Sequence, residues 1–214
     1  MKLLHDIYIY RLTHIANVPH ILRHGITHRN SANADSNYHA IGDKSLISYR
    51  STVEITTSTG HHHILGDGIP FYFGTRMPML WVIQHGMNQV PQKTPPSEIV
   101  YLVIRLSDLL DTGFSDYYFC DGHATDALTK FWGPERISDL PNLIDWPSVD
   151  ARWWSGSYAA LGVKRKKQAE FISCSDISPQ LICKFICYDS SSRDRLQTMG
   201  IESNKILIDT QSYY

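Results

Sequence analysis

The stretch "IVYLVIRL", Ile99–Leu106, decides the fold class. It is a continuous apolar run of strand length bounded by turn signals, and it reads as a central strand, the best buried in the chain. Ahead of it the polar "NQVPQKTPPSE" reads as a loop. Before that, "GIPFYFGTRMPMLWVIQHG", 68–86, pairs a short buried strand over Ile69–Phe73 with a helix that opens near Met77-Pro78 and stops at Gly86. Nearer the N-terminus, Tyr8–Leu12 alternates as a strand does. Asn17 then stands in the N-cap position of a helix, with Pro19 in its first turn, Val18, Ile21 and Leu22 on its buried face, and Gly25 in the stop position. Downstream, "YYFCDGHATDALTKFW", 117–132, reads as a strand, a tight Asp-Gly turn and a helix carrying Ala127, Leu128 and Phe131. "FISCS", "LICKFICYD" and "KILID" give three further strands, with a short helix over Ser190–Met199 between the last two. Strands and short helices mix without a βαβ rhythm, so the class is α+β.

At 214 residues and 43% hydrophobic content, the chain reads as one domain, 1–214, able to bury its own core. A formal charge of -1 argues against a generally basic nucleic-acid protein, so a charged partner must meet a local patch such as Lys164, Arg165, Lys166 and Lys167. Cys120, Cys174, Cys183 and Cys187 lack zinc-site spacing and suit reduced thiols in a cytoplasmic protein. The N-terminal apolar run is broken by His5 and Asp6 and is too short for a signal peptide or membrane span.

The adjacent His61, His62 and His63 cannot put all three imidazoles on one side of an extended chain, so no metal is expected there. Neither a GxGxxG nor a GxxxxGK[ST] loop is present. His14 and Asn17 flank a strand-to-helix turn, where backbone N–H groups favour anionic or amide ligands; for Asn17 a simple capping role is the alternative. His123 and Arg50 taken alone fit surface roles equally well. Glu170 in "AEFIS" is different, because it opens an apolar strand and would be half-buried beside Ala169 and Phe171. An unpaired carboxylate is expensive there, so it needs a partner, with a salt bridge to the neighbouring cations as the structural alternative to catalysis.

Taken in order, "YRLTHIANVPHILRHGI", "IGDKSLIS", "PFYFGTRMPML", "DGHAT" and "KKQAEF" resemble the DarT family, the toxin halves of DarT–DarG toxin–antitoxin pairs. The resemblance runs from near residue 8 to near residue 175, and the closing "ILIDTQSYY" is similar to the family's apolar, aromatic last strand. It implies an ADP-ribosyltransferase fold related to the poly-ADP-ribose polymerases, with a central mixed or antiparallel split sheet and flanking helices. It further implies NAD as donor, thymine in single-stranded DNA as acceptor, no metal, a monomer, and a macrodomain antitoxin of DarG type as partner. Carried over by position, Glu170 looks like the catalytic glutamate, Arg50 like the arginine beside it, and His123 like the histidine near the target nucleotide. Thr13, His14, Asn17, Gly25, Leu46, Arg50 and Tyr72 fall where the resemblance puts the NAD contacts. Trp153, Trp154 and Tyr158, with Lys164, Arg165, Lys166 and Lys167, combine flat and cationic side chains as single-stranded DNA binding requires; a solvated face beside core tryptophans is the alternative. Two competing functions are transfer to another acceptor, whether guanine in DNA, RNA or protein, and a nucleic-acid-binding module that has lost transfer.

Overall fold

The structure, a computed structural model, describes residues 2–157 and 159–214. Ten strands are numbered in chain order: β1 Tyr8–His14, β2 Glu54–Thr56, β3 His62–Ile64, β4 Ile69–Tyr72, β5 Ile99–Arg105, β6 Tyr117–Cys120, β7 Phe131–Trp132, β8 Glu170–Ser173, β9 Ile182–Cys187 and β10 Ile206–Ile208. Eight of them form one sheet in the order β10-β9-β5-β1-β4-β8-β6-β7, while β2 and β3 make a separate hairpin. Neighbours are antiparallel except β10 and β9, whose parallel pairing is bridged by the helix Ser190–Thr198.

The strand β5 is buried from Ile99 to Ile104 because its two faces serve two cores. Val100, Leu102 and Ile104 join one cluster with Ile9, Phe71 and Phe171, whereas Ile99, Tyr101 and Val103 join another with Leu80, Ile83 and Tyr213. Each fully buried side chain of this kind contributes roughly 1.5–3 kcal/mol, so burial on both faces makes β5 the anchor of the sheet. The helices Val18–His24 and Pro78–His85 cover opposite faces, through Val18 and Ile21 on one and Leu80 and Ile83 on the other. Both stop where glycine is required. Gly25 has φ 84° and a Cβ there would lie 2.3 Å from the Ile177 carbonyl oxygen, while Gly86 adopts φ 64°.

Three expectations are corrected. No helix follows the turn at Asp121-Gly122: the chain passes through further turns, leaves Leu128 exposed, and Phe131 enters β7 instead. His62 and His63 belong to the β2–β3 hairpin rather than to a loop. Asn17 occupies the N-cap position without capping; its side chain is committed elsewhere, and the cap of the preceding turn is the His14 Nδ1, which accepts from the Ala16 N–H at 3.1 Å.

The sheet is split. Strands β1 and β4 pair only at Tyr10–Tyr72 and then part, with the Arg11 guanidinium reaching across to donate to the Pro70 carbonyl at 3.0 Å. A cleft of about 540 Å³ opens there, between Arg11 and Leu12 on one side and Ile69, Pro70 and Tyr72 on the other.

Candidate active site

The floor of the cleft is set by the helix Lys44–Arg50. Asp43 caps it, accepting from the Ser45 and Leu46 N–H groups at 2.9 and 3.3 Å. With the cap fixed, Asp43, Leu46, Ile47 and Arg50 fall on one face at helical spacing, and all four line the cleft. Arg50 closes the last turn, where a cation is favoured by the helix dipole, and it points at Glu170.

Glu170 is the first residue of β8, flanked in the sheet by Tyr72 on β4 and Cys120 on β6, and it is fully buried. Its cost of burial is met by a two-pronged ion pair: Arg50 Nη1 donates to Oε1 at 3.1 Å and Nη2 to Oε2 at 2.9 Å. The Ala124 N–H adds a longer contact to Oε1 at 3.4 Å. The salt bridge expected from the neighbouring basic run therefore comes from a residue 120 positions away. Although burial disfavours its charge, the Glu170 carboxylate raises the Arg50 guanidinium well above its ordinary value, so Arg50 stays charged. Burial and then Glu170 raise the Tyr72 phenol, which stays protonated.

His123 sits on the loop that carries Ala124. Burial lowers its pKa, with Glu170 opposing that shift and Arg50 adding to it, so the imidazole is neutral at pH 7. Its Nδ1 is engaged by Thr125 Oγ1 at 2.9 Å, leaving Nε2 for other partners. The buried Tyr118 hydroxyl, without a hydrogen-bond partner among the described residues, feels the charges of both Arg50 and Glu170. It escaped the sequence reading, since a tyrosine inside an apolar strand signals only burial.

On the opposite wall, Asn17 Nδ2 donates to Thr13 Oγ1 and to the His39 carbonyl, both at 3.0 Å, and its Oδ1 accepts the His39 N–H at 2.8 Å. This pins the segment 28–43, which supplies Tyr38, Ala40 and Ile41 to the cleft. His14 stacks on His39 with ring centroids 3.8 Å apart, and burial lowers its pKa. Of the residues expected to contact NAD, Asn17, Leu46, Arg50 and Tyr72 line the cleft; Thr13 lies fully buried behind Asn17, His14 is beside it, and Gly25 is a helix stop packed on Ile177 rather than a lining residue.

The basic cluster is not one surface. Arg165 binds Asp121, Lys166 Nζ lies 2.6 Å from Asp145 Oδ2, and the buried Lys167 donates to the Val149 carbonyl at 2.7 Å, its pKa lowered to about 8 by desolvation. Lys164 is the exposed member, with its ammonium 5.6 Å from the Trp154 ring centroid. Trp153 is 59% exposed, whereas the Trp154 indole donates to the Tyr214 hydroxyl at 2.5 Å. Tyr158 lies outside the described residues. Among the described residues no group of three His, Cys, Asp or Glu side chains converges as a metal site.

The family model of DarT, described as an ssDNA thymidine ADP-ribosyltransferase, matches residues 10–214. A DNA ADP-ribosyl transferase from Escherichia coli O127:H6 is 30% identical over 198 residues, 92% of this chain and 87% of that protein. A DNA ADP-ribosyl transferase-glycohydrolase fusion protein from Thermosipho africanus is 25% identical over 88% of this chain and 44% of its own length. Among solved structures, Thermus sp. 2.9 DarT in complex with ADP-ribosylated ssDNA superposes with a TM-score of 0.82 at 23% identity, covering 97% of this chain and 96% of that one. The same Thermus protein in complex with NAD+ superposes at 0.76, with 97% of each chain covered. The class is that of the DNA ADP-ribosyltransferases, with the mixed, mostly antiparallel sheet and flanking helices expected. Within it, the chain belongs to the DarT family.

Proposed function

We propose that the chain transfers ADP-ribose from NAD to thymidine in single-stranded DNA, acting as the toxin of a toxin–antitoxin pair, with Glu170 as the catalytic carboxylate. The observation that carries this reading is the fully buried Glu170 held by Arg50 at the floor of the cleft. Burying an ion pair is poor stability engineering, because apolar replacements commonly do as well or better, so its presence speaks for chemistry. The cleft volume of about 540 Å³ lies within the range of roughly 300–1,000 Å³ typical of small-molecule sites. Its lining also suits NAD, with Arg11 and Arg50 as cations for the pyrophosphate and Ile41, Leu46 and Ile69 as apolar walls, and Arg50 joins it to the buried Glu170 carboxylate.

In the transfer, the bond from ribose C1′ to nicotinamide breaks, its electron pair leaves on neutral nicotinamide, and C1′ bonds to thymine N3, whose proton is lost. Glu170 faces positive charge that develops on the ribose only in the transition state, where a preplaced anion accelerates the step most. Arg50 keeps that anion in place and shares its oxygens with the ribose hydroxyls when NAD is bound. His123, neutral and with Nε2 uncommitted, is the better proton acceptor, since Arg50 is held charged. Trp153 and Lys164 offer an exposed ring and cation for an unstacked base and its phosphate.

The Thermosipho fusion to a glycohydrolase supports a DarG-type macrodomain antitoxin as partner. Four free cysteines support the cytoplasm as the place of action, and we take the working form to be a monomer. The test supplies radiolabelled NAD with single-stranded, double-stranded and thymine-free oligonucleotides. Label is expected only in thymine-containing single strands; equal labelling without thymine overturns the acceptor assignment, and labelling of protein or RNA instead overturns the class of target.

A further inference from the structure

We propose that Arg165 is a positioning residue for the transfer step, clamping the loop that presents His123 and Ala124 to Glu170, and is not a contact for the DNA backbone. The inference rests on the roles given above to Glu170 and His123. Arg165 lies in the run Lys164–Lys167, where composition suggests phosphate binding, yet its side chain is 16% exposed and turned inward. Nη1 donates to Asp121 Oδ1 at 3.1 Å and to Thr129 Oγ1 at 3.2 Å, while Nη2 reaches Asp121 Oδ2 at 3.4 Å.

Those two partners stand at the ends of the loop. Asp121 also accepts the Lys130 N–H at 2.9 Å, and Thr129 Oγ1 donates to the His123 carbonyl at 2.8 Å. The Arg165 main chain completes the clamp, its carbonyl accepting the His123 N–H at 2.9 Å. The next N–H, that of Ala124, is the one that points at Glu170 Oε1. Gly122 leaves room for this packing: a Cβ there would lie 2.2 Å from Arg165 Nη1, and the guanidinium would have to shift. One arginine thus ties the loop's entry, exit and centre to the segment leading into β8, so the His123 backbone and the Glu170 carboxylate move as a unit.

The clamp is tested with Arg165→Met, Arg165→Lys and the near-isosteric Asp121→Asn, which removes the partner's charge without removing a cation. Three quantities are read: amide hydrogen exchange at His123 and Ala124 in the ligand-free protein, transfer rate at saturating NAD and DNA, and the salt dependence of single-stranded DNA affinity. Arg165→Met is expected to quicken exchange at both amides about tenfold, as loss of a charge-assisted hydrogen bond does. It should also lower kcat by about 100-fold, the penalty for a catalytic group displaced by about an ångström, with KM for both substrates and the salt slope unchanged. Arg165→Lys should recover part of the rate, and Asp121→Asn should follow Arg165→Met although it makes the chain more positive. Should Arg165→Met fail to fold, Asp121→Asn carries the comparison. A salt slope reduced by about one with kcat intact would identify a phosphate contact and overturn the proposal, as would unchanged exchange. Faster exchange in a protein whose wild type transfers no label would leave the clamp standing and remove the functional reading beneath it.

Discussion

The two walls of the cleft solve one problem in different ways. On the β1 side, Thr13, Asn17 and the His39 backbone satisfy one another through neutral hydrogen bonds. On the β8 side, Glu170 and Arg50 do so through charge. A neutral network of this kind holds a segment in place and leaves nothing reactive. A buried ion pair costs more to assemble, but it keeps an anion ready beside the donor. The first wall shapes the site; the second supplies its chemistry.

Separating charge from placement gives the largest effect. Arg50→Met leaves Glu170 buried without compensation and should cost about 3–5 kcal/mol, read as a lower denaturation midpoint. Arg50→Met with Glu170→Leu removes both charges and should return stability to within about 1 kcal/mol of the parent, or above it, with transfer abolished. A double variant as unstable as the single one breaks the comparison. On the neutral wall, Asn17→Ala removes three hydrogen bonds near 1 kcal/mol each, so a loss of about 2–3 kcal/mol is expected. Loosening of the segment 28–43 should raise KM for NAD more than it lowers kcat. An unchanged KM would show that the wall does not shape the donor site. The smallest effect belongs to the rim. Trp153→Ala should weaken single-stranded DNA binding by about 1–3 kcal/mol, and Lys164→Ala should reduce its salt slope by about one, neither changing kcat at saturating DNA.

How much of this was legible in the sequence depends on the range of the interaction. The strand Ile99–Arg105 and the helices stopped by Gly25 and Gly86 were readable, because apolar continuity and glycine stops report local geometry. The helix expected after Asp121-Gly122 failed, because Asp121 binds the Lys130 N–H and Arg165, Thr129 binds the His123 carbonyl and Arg165, and Thr125 binds the His123 imidazole, in place of a helical ladder. Glu170 was legible as a carboxylate needing a partner. The sequence offers the adjacent cations as one possible partner, whereas Arg165 and Lys166 belong to Asp121 and Asp145, 44 and 21 residues away. Pattern shows that a charge must be satisfied; only the fold shows by what.

The central claim is that Glu170 acts in the transfer and does more than hold the cleft together. It is tested most directly by single-turnover transfer to a thymine-containing single strand with Glu170→Gln, at saturating NAD, beside a measured NAD Kd. Gln keeps the shape and an acceptor oxygen for Arg50 while removing the anion. The account predicts that label transfer is lost while NAD binding persists; transfer near the wild-type rate would contradict it.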